Sequence, residues 1–124
     1  MLTLEFRTPV QRVRMSRTHI IVVLLNAVKM YSFASSAPPE KLAEFETASN
    51  PFGLCCLGES VFVFPGRTHG QVQIVQLSNR NVSIIPAHSN PLRALALSSD
   101  GELLATASEN VSITQNLTMY TKQQ

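Results

Sequence analysis

Two adjacent thiols, three histidines and a scatter of arginines are the side chains here that could do chemistry. Cys55 and Cys56 are the only cysteines and sit side by side in the apolar stretch "GLCCLG". On a strand, neighbouring side chains point to opposite faces, so a bond between the two would strain the backbone. Zinc needs about four ligands at workable spacing, which two adjacent thiols do not supply. The pair is expected to be two small buried hydrophobes. His19 and His69 have no Cys, Asp or Glu at metal-ligand spacing, and no serine stands in a nucleophile-elbow context. Glu44 and Glu46 alternate along an expected strand and share a face, but nothing apolar encloses them to shift a pKa. "SSDG" at 98–101 has the wrong spacing for a phosphate-cradling loop. The N-x-S/T sequons at Asn81, Asn110 and Asn116 are short motifs that recur by chance. An enzyme is not expected, nor are a metal, a cofactor or a small-molecule substrate.

The basic residues Arg12, Arg14 and Arg17 flank the first apolar run and read by themselves as solvated positions at a strand edge and turn. A net charge of +2 over 124 residues is too small to imply nucleic acid, and the basic residues are spread along the chain. Hydrophobic content of 44% with 15% charged residues is that of a globular chain. The longest apolar run, Ile20 to Leu25, is far below the roughly 20 residues a membrane-spanning helix requires. Glu5, Arg7, Arg12 and Arg14 interrupt the N-terminus before any apolar run, so no signal peptide and a cytoplasmic location are expected.

The elements that must position these residues come from an internal repeat. "TPVQRVRMSRTHIIVVLLN" from Thr8, "NPFGLCCLGESVFVFPG" from Asn50 and "NPLRALALSSDGELLATAS" from Asn90 share one pattern. Each has a proline (Pro9, Pro51, Pro91), a short apolar strand, a polar turn and a second apolar strand. The third turn carries the Asp-Gly pair favoured in tight hairpins. "NAVKMYSFA" (26–34) and "GQVQIVQLS" (70–78) alternate apolar and polar residues as half-buried strands do. "KLAEFETA" (41–48) and "NVSIIPAH" (81–88) follow as fourth strands. Four short strands per roughly 40–45 residues is the signature of β-propeller blades, with an evenly stranded β-sandwich as the alternative.

The expected fold is therefore all-β, a partial WD-repeat propeller of about two and a half four-stranded blades. Residues 1–7, with "LTLEFR" at 2–7, are expected to be the outer strand of a preceding blade, 8–49 and 50–89 two blades, 90–109 the first hairpin of a third, and 110–124 a divergent tail. Within the tail, "VSIT" (111–114) is the candidate for a short third strand. Repeat units generally need about three stacked copies to bury a continuous core. The isolated chain is accordingly expected to be marginal and to associate with itself or a chaperone.

In their order along the chain, "LEFRTPVQRVRM", "IIVVLLNAVKMYSF", "NPFGLCCL", "VFPGRTHGQVQIVQL" and "IIPAHSNPLRALALSSDGELLATASE" resemble the PROPPINs, the WD-repeat phosphoinositide-binding propellers of autophagy that include the WIPI proteins. The resemblance runs collinearly from about Leu4 to Glu109. It implies the middle part of a seven-bladed propeller, without catalysis. It implies binding to phosphatidylinositol 3-phosphate and phosphatidylinositol 3,5-bisphosphate on preautophagosomal, endosomal or vacuolar membranes. The partners implied are proteins of the autophagy conjugation or lipid-transfer machinery. His88, in "PAH", matches a histidine beside the family's first phosphoinositide pocket, and Arg14 and Arg17 match basic residues that dock acidic segments of autophagy partners.

The sequence also departs from the family. The lipid motif, Phe or Leu followed by Arg-Arg-Gly, occurs nowhere in it, and the match ends at Asn110, before the family's Lys-Gly-Thr strand. Forked, permanently charged guanidinium groups suit an inositol phosphate's oxygens, so their loss is serious. The chain is expected to be a truncated product that cannot bind lipid usefully by itself. The competing expectation is a WD-repeat protein-interaction fragment with no lipid binding.

Overall fold

A computed structural model describes residues 3–34 and 36–108 with their side chains, and residue 109 and residues 115–121 by their backbone. Eleven strands make up the described secondary structure: β1 (Val10–Met15), β2 (His19–Leu24), β3 (Ala27–Ser32), β4 (Lys41–Glu46), β5 (Cys56–Leu57), β6 (Val61–Pro65), β7 (Gln71–Gln76), β8 (Val82–Pro86), β9 (Leu92–Leu97), β10 (Leu103–Glu109) and β11 (Gln115–Thr121). They form three antiparallel sheets, ordered β1-β2-β3-β4, β5-β6-β7-β8 and β9-β10-β11. Each sheet is a meander, because short turns can join only antiparallel neighbours. The fold is all-β. No helix among the described residues is long and apolar enough to cross a membrane.

The turns follow from local chemistry. Between β9 and β10, the Ser98 hydroxyl donates to Asp100 Oδ1 at 2.6 Å, and Asp100 Oδ1 accepts the Glu102 N–H at 2.9 Å. Gly101 supplies the left-handed φ of 74° that this turn needs. Before β5, Asn50 clamps Leu54 through both ends of its amide, accepting from N at 2.9 Å and donating to O at 3.2 Å.

Period-two alternation sorts the second sheet's residues into two cores. Phe62, Phe64, Val75 and Leu77 face the first sheet and pack with Ile21, Val23, Val28 and Met30. Val63 and Val72 face the other way and pack with Leu92 and Leu104 of the third sheet. That is why β6 reads "VFVFP" and is buried at every position: both of its faces are covered. In the first core, Phe62 stacks on Phe64 with centroids 5.1 Å apart, and Phe45 of β4 approaches both, at 5.8 and 5.4 Å. The adjacent cysteines divide likewise, with Cys55 in the first core and Cys56 against the second.

Polar bonds fasten the sheets to one another. Gln73, buried on β7, donates from Nε2 to the Glu46 carbonyl of the first sheet at 3.1 Å, and also to the Pro65 carbonyl of its own sheet at 3.3 Å. The Cys56 thiol donates to the Leu95 carbonyl at 3.5 Å.

One placement differs from the sequence expectations, and another falls outside the described residues. Residues 3–7 take no strand conformation. A strand needs a ladder partner for its amides, and none of the described strands pairs with this segment. Phe6 instead packs edge-on against Tyr31 with centroids 6.3 Å apart, and Lys29 Nζ lies 5.5 Å from its ring centre. The short strand expected at 111–114 falls outside the described residues. The strand that pairs with β10 is β11, in continuous register from Leu103↔Thr121 to Glu109↔Gln115.

Candidate functional site

His88 sits in the link from β8 to β9, where the second sheet hands over to the third. Its backbone N–H donates to the Gly70 carbonyl at 3.0 Å, which ties the link to the β6–β7 turn. Its half-buried imidazole reaches the third sheet, with Nε2 2.8 Å from Thr106 Oγ1. Along β10, Leu104, Thr106 and Ser108 are buried and alternate with more accessible residues. They share the face that Leu104 turns toward the second sheet. The Thr106 hydroxyl is fully buried. The Ser108 hydroxyl is also buried and has no hydrogen-bond partner among the described residues.

The junction of the second and third sheets thus holds an imidazole and two hydroxyls, the short-range donors an anion's oxygens accept. A buried hydroxyl without a partner costs about 1–3 kcal/mol, a cost a ligand oxygen would remove. Thr106 and Ser108 are functional candidates that reading the sequence missed. The signal was available: two hydroxyls at i and i+2 on the covered face of an otherwise apolar strand, "LLATASE".

Arg14 and Arg17 lie elsewhere. Arg14 is half-buried on β1, and Arg17 is exposed in the β1–β2 turn. In that turn Ser16 Oγ accepts the N–H groups of Thr18 and His19 at 3.2 and 3.1 Å. Burial lowers the pKa of His19 below the usual value, and the charge of Arg80 lowers it further. Arg80 itself occupies a left-handed backbone at φ 60° in the β7–β8 turn. β5 packs beside both β1 and β9, so the innermost strands follow one another and the first sheet's arginines stand apart from His88.

The thiols are held out of reactivity. Burial, helped by the charge of an ionised Cys56, pushes Cys55 up to about 12 against the opposing pull of Arg14 and Arg12. Cys56 is raised by burial too, against the pull of Arg14. At neutral pH both are thiols, which are poor nucleophiles and poor metal ligands. Glu44 is the reverse case: the hydrogen bond from Lys41 at 2.6 Å holds its carboxyl below the usual range. His69 is exposed in the β6–β7 turn. No group of three or more His, Cys, Asp or Glu side chains capable of holding a metal occurs among the described residues.

No protein-family model matches the chain. Individual proteins do. SVP1-like protein 2 of Emericella nidulans is 63% identical over 108 residues, covering 87% of this chain and 33% of that protein. Autophagy-related protein 18e of Arabidopsis thaliana is 36% identical over 109 residues, covering 85% of this chain and 28% of that protein. Among solved structures, Kluyveromyces lactis Hsv2 superposes with a TM-score of 0.71 at 19% identity, over 85% of this chain and 33% of that one.

The chain belongs to the PROPPIN family.

Its three sheets correspond to part of a PROPPIN β-propeller. The Kluyveromyces marxianus Hsv2 structure agrees, with a TM-score of 0.70 at 22% identity. The chain spans about a quarter to a third of the length of the curated relatives it matches. The PROPPIN architecture accounts for the two-sided second sheet, since a blade inside a propeller is covered on both faces.

Proposed function

We propose that this segment serves a phosphoinositide-binding autophagy scaffold, and that His88, Thr106 and Ser108 form the part of the lipid site it contributes. The observation that carries the reading is the 2.8 Å bond from His88 to buried Thr106 beside the unpartnered Ser108 hydroxyl. A histidine held there donates to phosphate, more strongly once protonated. Support for the autophagy role comes from relatives named Autophagy-related protein 18 and 18e. The second strand of support is family membership itself.

The scaffold works at a membrane periphery. Arg14 and Arg17, on the first sheet, receive acidic segments of proteins of the conjugation or lipid-transfer machinery. The sequence has no Arg-Arg-Gly, and a phosphate array is gripped by forked guanidinium pairs. Lipid binding therefore belongs to a propeller that has that motif, and this chain alone binds headgroups feebly.

Vesicle co-sedimentation tests this. Two proteins are compared on phosphatidylinositol 3-phosphate vesicles: this chain, and a chimera in which its residues 3–109 replace the matching segment of the Emericella protein. The proposal expects the chimera to sediment with the vesicles and the chain alone to stay in the supernatant. A chimera that folds yet ignores the lipid would overturn it.

A further inference from the structure

On the face formed by the β4–β5, β6–β7 and β8–β9 links, a cleft of about 370 Å³ opens between the second and third sheets. Phe52, Pro51, Thr68, His69, Pro91 and Arg93 shape it. Phe52 is 46% exposed, and its turn fixes it there. The Gly53 N–H donates to the Asn50 carbonyl at 3.1 Å, Gly53 takes φ 62°, and Arg12 Nη2 donates to the Phe52 carbonyl at 3.3 Å. Over the ring itself lies the Arg93 guanidinium, 4.4 Å from its centre.

A fixed, exposed aromatic under a guanidinium, beside a cleft of side-chain size, is the composition of an interface anchor. Charge indicates what it anchors. Among the described residues the lining includes Arg93 and His69 but no Asp or Glu, and Arg12 adds a guanidinium at the Phe52 carbonyl. The rim prolines and the Asn50 clamp keep the cleft preformed, which lowers the ordering cost of binding.

We infer that the Phe52–Arg93 cleft docks an acidic peptide segment of a partner protein, with one apolar side chain in the cleft and carboxylates against Arg93, His69 and Arg12. The His88 imidazole, Arg14 and Arg17 do not line this cleft, although Gly70, which does, accepts the His88 N–H, and the inference holds whether or not the lipid reading does.

Panning a phage-displayed heptapeptide library against the full chain tests it. The expected consensus is one apolar residue flanked by Asp or Glu. Fluorescence anisotropy of the selected peptide should weaken about tenfold or more in Phe52→Ala and in Arg93→Glu, and binding should fall as salt rises. His69→Glu, at an exposed turn position, should weaken it in the same direction and carries the test if Arg93→Glu does not fold. A consensus without acidic residues, no consensus at all, or affinity unchanged in Phe52→Ala and His69→Glu would overturn the inference. Displacement of the peptide by phosphatidylinositol 3-phosphate vesicles would also overturn it, assigning the cleft to lipid.

Discussion

Gly70 and His88 are locked backbone to backbone: the His88 N–H donates to the Gly70 carbonyl at 3.0 Å, and the His88 carbonyl fills the space a Gly70 side chain would need. Gly70 also holds φ 86°, where an L-residue is strained. Gly70→Ala is therefore expected to cost about 2 kcal/mol or more. Urea unfolding should show the loss, and an unchanged midpoint would contradict the close approach.

The bond from His88 to Thr106 makes a separable contribution. His88→Ala and Thr106→Val should each destabilise by about 1–2 kcal/mol, and the double variant by less than their sum. Additive losses in a double-mutant cycle would mean that the two side chains do not interact.

The aromatic cluster between the first and second sheets should dominate the stability of the described core. Phe62→Ala removes the ring that meets both Phe45 and Phe64 and is expected to cost about 3–5 kcal/mol. Thermal melts of the two proteins would measure it. A shift within error would place the main core elsewhere.

Cys55 predicts a loss of stability in alkali. Its thiol ionises near 9 when free of the fold, and burial raises it to about 12 in the folded chain. The folded state thus keeps the proton longer. Its contribution is complete below pH 9 and drains away as pH rises toward 12, amounting to a few kcal/mol. Stability of the parent chain should fall more steeply from pH 8.5 to 10.5 than that of Cys55→Ala, by denaturant melts at each pH. Parallel curves would contradict a buried thiol.

Much of the fold was legible because its signals are local. Alternation in "GQVQIVQLS" marks β7, and the Asp-Gly turn marks the β9–β10 hairpin. The split of Cys55 and Cys56 between two cores follows from their adjacency alone. What resisted reading depended on partners distant in sequence. "LTLEFR" has strand-like residues, but a strand also needs a neighbour, and the described strands offer none. β11 alternates only in Leu117 and Met119 among mostly polar neighbours, a weak pattern, and it is the pairing with β10 that marks the strand. Thr106 and Ser108 escaped notice for a similar reason: a hydroxyl on a strand is ordinary until its face is known to be covered. The exposed Phe52 was equally hidden, because only its turn's hydrogen bonds and Arg93, from another sheet, reveal that it is held in place.

The most direct test of the lipid-site proposal is the affinity of the chimera for phosphatidylinositol 3-phosphate vesicles with and without His88→Ala, at a temperature where both are fully folded. The account predicts a loss of about tenfold, as for a truncated charge-assisted donor. Equal affinity at equal folded fraction would contradict it and leave His88 as a structural clamp on Thr106.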